Sequence, residues 1–236
     1  MTMLVSASGA EVAALLPKPG GARHLIGISG APGAGKSALA AFLLEVLGPR
    51  GAQVPMDGFH LADVELVRQG LLDRKGAPET FDPLGYAALL GRLRSEPGET
   101  VYAPGFDRDL EQPLAGAVAV TPTTEVVLTE GNYLLLDHPH WRAVRARLDE
   151  VWHVRCDDRL RLERLVARHT EFGKDVAAAR AWVERVDEPN ARLVEASADR
   201  ADRLLDLSGW QGGRRGRRPV VLPEADPPPE PLEGSR

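Results

Sequence analysis

One octapeptide limits what this chain of 236 residues can fold into more than any other feature: Gly30-Ala31-Pro32-Gly33-Ala34-Gly35-Lys36-Ser37. It fits the pattern G-x-x-x-x-G-K-[ST] at every fixed position. The run His24-Leu25-Ile26-Gly27-Ile28-Ser29 before it reads as a buried strand. After it, Leu39, Phe42, Leu43, Val46 and Leu47 recur at helical spacing until Gly48 and Pro49 stop them. In a strand, glycine loop and helix joined this way, backbone N–H groups turn inward around phosphate oxygens. The helix adds the positive end of its dipole. The expected ligand is ATP, held by residues Gly30 to Ser37 and Ala38. Lys36 would bridge its terminal phosphates and Ser37 would ligate Mg²⁺.

The rest of the chain supplies the framework such a loop needs. Strands are expected at about residues 52–56, 125–129, 151–155 and 204–207. Helices are expected at 61–70, 83–95, 141–148, 160–168 and 176–186. Alternation of this kind predicts a mainly parallel sheet wrapped by helices on both faces, a three-layer α/β fold. Residues 1–22 read as a lead-in with a short helix near Glu11 to Leu16, residues 23–210 as one domain, and residues 211–236 as a disordered Arg- and Pro-rich tail.

Two acids fall at predicted strand ends, where open α/β sheets place their ligand crevice. Asp57 follows Val54-Pro55-Met56, and Glu130 follows Val126-Val127-Leu128-Thr129. Transfer of a phosphoryl group to an alcohol asks for a carboxylate that takes the hydroxyl proton and another beside the metal. Asp57 suits the first role and Glu130 the second. Either acid could instead cap a helix or turn.

Composition narrows the alternatives. The net charge is −5, which gives no footprint for nucleic acid or an anionic membrane. No apolar run is long enough to span a bilayer. One cysteine, Cys156, allows no intrachain disulfide and fits a reducing cytoplasm. Only four of 29 basic residues are lysines: Lys18, Lys36, Lys75 and Lys174. The Asn-Lys-x-Asp tetrapeptide that reads guanine in GTPases of this fold does not occur. Asp137, His138 and His140 have no further ligand at zinc spacing and read as a surface turn. Trp141, Trp152 and Trp182 read as packing residues.

Several segments keep a familiar order. The phosphate loop, Met56-Asp57-Gly58-Phe59-His60, Arg74-Lys75-Gly76-Ala77-Pro78-Glu79-Thr80-Phe81-Asp82 and Glu130-Gly131 resemble the phosphoribulokinase/uridine kinase superfamily, which includes bacterial-type pantothenate kinase. The resemblance implies a P-loop kinase fold with Asp57 as catalytic base and Glu130 beside the metal. It also implies a helical lid near residues 157–175, whose Arg164 and Arg168 would clamp the migrating phosphoryl group. Asp187-Glu188-Pro189-Asn190 resembles a segment near the nucleotide base. Uridine kinases carry an aspartate where this lid has His169. Val101 to Arg108, Gly131-Asn132-Tyr133 and Arg168-His169 look more like the nucleoside/nucleotide kinase branch, which includes kinases linked to sugar uptake.

The expected protein is thus an ATP-dependent phosphotransferase acting on a hydroxyl of a small metabolite: sugar-like, pantothenate-like or a nucleoside. Residues His60, Arg74, Lys75, Phe106 and Arg108 are the acceptor-side candidates. Whether the chain forms a homodimer is left open. The alternative is a nucleotide-dependent binding module, which would keep Lys36 and Ser37 but need no base at Asp57.

Overall fold

A computed structural model describes residues 4–6 and 8–210, with side chains from residue 8 onward. The expected tail at 211–236 lies outside the described residues. In chain order the elements are β1 (Leu4–Ser6), α1 (Gly9–Ala13), β2 (His24–Gly30), α2 (Lys36–Leu47), β3 (Gly51–Gln53), α3 (Asp63–Gln69), α4 (Pro83–Ser95), β4 (Val101–Asp107) and β5 (Gln112–Val120). There follow β6 (Val126–Glu130), α5 (Pro139–Arg145), β7 (Glu150–Arg155), α6 (Asp158–Glu171), α7 (Val176–Trp182), α8 (Glu188–Glu195) and β8 (Arg203–Asp206).

Six strands form one sheet in the order β1-β8-β7-β2-β6-β3. Every pairing in it is parallel. Alternate residues of the central strands enter opposite cores, as the two-residue period of a strand requires. Leu25, Val127 and Val151 face a core with Tyr86, Leu90 and Leu93 of α4 and Trp141 and Val144 of α5. Ile26, Ile28, Leu128, Trp152 and Val154 face the other core, with Leu39, Leu43 and Leu47 of α2. Helices therefore cover both sheet faces, giving the expected three layers.

Several boundaries differ from expectation. The strand expected at 52–56 ends at Gln53, and Met56–Phe59 forms a 3₁₀ turn. Pro55 lacks the N–H needed to continue a ladder. Asp57 therefore stands on this turn rather than at a strand end. Residues 1–22 do more than lead in, because β1 pairs with β8 at the sheet edge. No strand is expected between residues 101 and 120, yet Val101–Asp107 forms β4 and pairs antiparallel with β5 in a separate two-stranded sheet. The helix expected at 176–186 ends at Trp182 and passes through a π-helical turn, Val183–Asp187, into α8.

No helix among the described residues is long and apolar enough to cross a membrane.

Candidate functional site

The loop between β2 and α2 is shaped by glycine where a side chain cannot fit. Gly33 has φ +81°, and a Cβ there would stand 2.8 Å from the carbonyl oxygen of Arg161. The phosphate loop and the first turn of α6 thus meet backbone to backbone. Helix α2 opens at Gly35 with no side-chain cap, so its first N–H groups are left for an anion. Lys36 is 8% exposed. Its Nζ donates to the carbonyl oxygens of Gly30, at 2.9 Å, and Ala31, at 3.1 Å. Burial pushes its pKa down to about 8, a shift that the nearby charges of Glu130 and Asp57 partly offset.

Ser37, on the first turn of α2, meets Glu130 at the end of β6. Ser37 Oγ donates to Glu130 Oε1 at 3.2 Å. Burial raises the Glu130 pKa, and the Asp57 charge adds to this; Lys36, Arg108 and Ser37 work against it. Asp57 sits across from this pair. Its turn is locked beneath β4, because a Cβ on Gly58 would come within 2.4 Å of the Pro104 carbonyl oxygen. Asp57 Oδ2 accepts from Arg108 Nη2 at 2.7 Å.

The β4–β5 hairpin delivers that arginine. Its register shifts between Ala103 and Gly105, around Pro104. Its tip is an Asx turn: Asp107 Oδ1 accepts from the N–H groups of Asp109 and Leu110, both at 2.9 Å. Arg108 lies 5.1 Å from the Phe106 ring centroid, within cation–π range. His60 stacks between Phe81 and Phe106, with centroids at 3.9 and 5.0 Å. Its Nδ1 pairs with the Asp57 carbonyl oxygen at 2.8 Å. Burial lowers its pKa, and the Asp57 charge opposes the shift.

On the lid side, Arg168 feels the charges of Asp187, Arg108, Asp57 and Glu130, while burial lowers its pKa. Arg164 lies against the phosphate loop, with Nη1 3.9 Å from the Cys156 sulfur and 3.7 Å from where a Cβ on Gly35 would stand.

The structure thus gathers Lys36, Ser37, Asp57, Glu130, Arg108 and Arg168 around one crevice, with His60 and Phe106 on its rim. Lys75 and Arg74 are engaged with acids. Lys75 lies 5.9 Å from the Phe106 ring centroid, but its ammonium is taken by Asp63 at 2.5 Å and by the Glu111 carbonyl. Arg74 pairs with Glu79 at 2.5 Å. His138 caps α5 and Asp137 binds Arg142 and Arg200. Trp141 and Trp152 are buried in the two cores.

Sequence reasoning passed over Arg161. It is 5% exposed, its Nη1 reaches the Pro32 carbonyl at 3.5 Å, and its Nη2 pairs with Glu188 at 2.5 Å. The available signal was its position on the same helix face as Arg164 and Arg168, three and seven residues on.

Comparison with known proteins bears on the family and the fold. No family model matches the chain. It is 37% identical over 145 residues to ATP-dependent kinase-like protein notR' of Aspergillus versicolor, spanning 58% of this chain and 84% of that one. It is 32% identical over 174 residues to "putative uridine kinase C227.14" of Schizosaccharomyces pombe, spanning 70% and 74%. The crystal structure of a "putative fructose transport system kinase" from Silicibacter sp. TM1040 superposes with a TM-score of 0.73 at 40% identity, covering 84% of this chain and 95% of that one. Fold, phosphate loop and relatives converge, and the chain belongs to the phosphoribulokinase/uridine kinase superfamily of P-loop kinases.

Proposed function

We propose that this kinase transfers the γ-phosphoryl group of ATP to a hydroxyl of a small metabolite, with Asp57 as the base. One observation carries the reading: the Asp57 carboxylate faces the phosphate-binding lysine and is reached by Arg108 from a separate hairpin. A module that only binds nucleotide needs no carboxylate there.

The Asp57–Arg108 pair leaves Asp57 accessible. Their side chains are 26% and 48% exposed. Ion pairs with that much solvent contribute on the order of 0.2–1 kcal/mol. An acceptor can therefore draw Arg108 away at small cost and present its hydroxyl to Asp57. Asp57 takes the hydroxyl proton as the oxygen attacks phosphorus in line. Lys36 neutralises charge on the terminal phosphates, and Arg168 faces the same charge from the lid. Positioning and charge neutralisation supply most of the catalysis.

Ser37 Oγ and Glu130 Oε1 are hard oxygen donors close enough to serve one ion, which suits Mg²⁺. Among the described residues no group of three or more His, Cys, Asp or Glu side chains is placed to hold a metal. Phosphate oxygens and water would complete its shell. The ion, when bound, would offset the negative charge that builds on the phosphates.

For the acceptor we favour a sugar-like or pantothenate-like molecule over a nucleoside. The crevice offers Arg108, Asp57 and His60 as hydrogen-bonding groups, which suit a polyhydroxyl or hydroxy acid through charge-assisted bonds. The relative named for fructose transport points the same way. The test is ADP release by purified protein with ATP, Mg²⁺ and a panel of sugars, pantothenate, glycerate and nucleosides. Release stimulated by a member of the first three groups supports the reading. Stimulation by uridine or cytidine alone overturns the choice of acceptor, and release that no alcohol stimulates favours the binding-module alternative.

A further inference from the structure

Helix α7 does not run smoothly into α8. The π-helical turn Val183–Asp187 interrupts it, and Pro189 follows in the first turn of α8. Such turns are uncommon and concentrate at functional places. This one ends on Asp187, a carboxylate only 7% exposed. Asp187 Oδ2 pairs with His169 Nε2 at 2.7 Å. The next residue, Glu188, takes Arg161 at 2.5 Å. Two adjacent acids therefore grip α6 a little over two turns apart.

The two grips do different things. Arg161 continues to the phosphate-loop carbonyl of Pro32, so Glu188 ties the lid to that loop. Asp187 grips the corner that carries Arg168. Among the charges that offset the burial of Arg168, Asp187 comes first, ahead of Asp57 and Glu130. A buried carboxylate is costly unless a cation or donor faces it. Here a histidine pairs with it directly, and the charge of the neighbouring Arg168 lies within its reach.

We infer that Asp187 is a positioning residue, seated by the π-helical turn, that holds the Arg168–His169 corner of the lid so that the Arg168 guanidinium faces the phosphoryl group in transit. The inference rests on the kinase reading given above. It gives the turn a purpose that a plain helix–helix tie would not need.

The experiment uses the full chain and a probe that needs no identified acceptor: ADP with Mg²⁺ and aluminium fluoride, which imitates a phosphoryl group in transit. Dissociation constants with and without aluminium fluoride are measured for wild type, Asp187→Asn, Asp187→Glu, Arg168→Ala and the Asp187→Asn/Arg168→Ala double variant. The asparagine keeps shape and a hydrogen bond to His169 but removes the charge. We expect it to weaken binding of the fluoride complex by on the order of tenfold or more, since small misplacements of a catalytic group are costly. ADP alone should bind within about twofold of wild type. Arg168→Ala should do the same, and the double variant should be no weaker than Arg168→Ala, as expected for two residues acting through one. Asp187→Glu should fall between wild type and Asp187→Asn, and it answers the question if the asparagine variant does not fold. Losses that multiply in the double variant would overturn the inference. So would unchanged fluoride-complex binding in a destabilised Asp187→Asn protein, or wild-type binding that aluminium fluoride does not tighten. Failure of the kinase reading is seen separately, as the absence of acceptor-stimulated ADP release by wild type.

Discussion

Gly30–Ser37 hangs between β2 and α2, at the centre of the six-stranded sheet, whereas Phe106 and Arg108 hang from a two-stranded hairpin that shares no backbone ladder with that sheet. The phosphate half is fixed by covalent continuity with the core. Lys36 is buried and bonded to its own loop. The acceptor half is fixed by contacts: Gly58 against Pro104, His60 between two rings, Arg108 on Asp57. Charge placement on the phosphate side is set by the fold itself, while the acceptor side can adjust its ion pairs without strain on the sheet.

The largest effect is expected on the phosphate side. Lys36→Ala should lower phosphotransfer by on the order of 10³-fold while the melting temperature stays within a few degrees, because losing two bonds to loop carbonyls is offset by no longer burying an ammonium. Turnover near wild type would remove the asymmetry and the kinase chemistry together. Steady-state rates and a thermal melt decide it.

At the junction of the two halves, Asp57→Asn should lose acceptor-dependent ADP release by on the order of 10²-fold and keep ATP affinity. If ATP affinity falls and saturated turnover survives, Asp57 belongs to the nucleotide half. On the acceptor side, Arg108→Ala should raise the acceptor KM by roughly tenfold, the size of one charge-assisted hydrogen bond, and leave the ATP KM within about twofold. Equal effects on both KM values would place the hairpin tip on the nucleotide.

The smallest effect concerns pH. The pKa of Lys36 is about 8, so its ammonium is half lost there. A lysine whose pKa is depressed in the folded protein is neutral above that value, and a neutral amine no longer attracts phosphate. ATP affinity should therefore weaken as pH rises, by roughly threefold between pH 7.5 and 8.5. Lys36→Arg should flatten that slope, since a guanidinium keeps its proton. Calorimetric titration across this range checks both.

Much of the phosphate half was legible in the sequence. The octapeptide, the apolar run of β2 and the helical spacing of α2 are all local, and Glu130 follows from the apolar run of β6. The acceptor half was read less well. Strand β4 contains Pro104 and Gly105, and β5 contains Pro113 and Gly116, so turn-forming residues hid a hairpin whose ladder shifts register at that proline. Strand β1 was missed because three residues make no pattern by themselves; their pairing with β8 is two hundred residues away in sequence. Lys75 and Arg74 were candidates for their charge and their place in the Arg74 to Asp82 segment, and their pairing with Asp63 and Glu79 is set by contacts that neither reveals. Pro189 concealed α8: it tolerates a first helical turn, where it stands here, as readily as it ends a helix.

The separate hairpin also bears on how kinases of this shape diversify. Beyond Val101, Ala103 and Val120, which are buried in the core, the outer part of this ribbon can be lengthened or shortened without breaking one hydrogen bond of the six-stranded sheet. Its outward residues on β5, Leu114 to Ala117, are exposed and answer to no core. Mutation can explore that ribbon while the phosphate loop is held constant, so new acceptors can arise by drift at the periphery rather than by redesign at the centre.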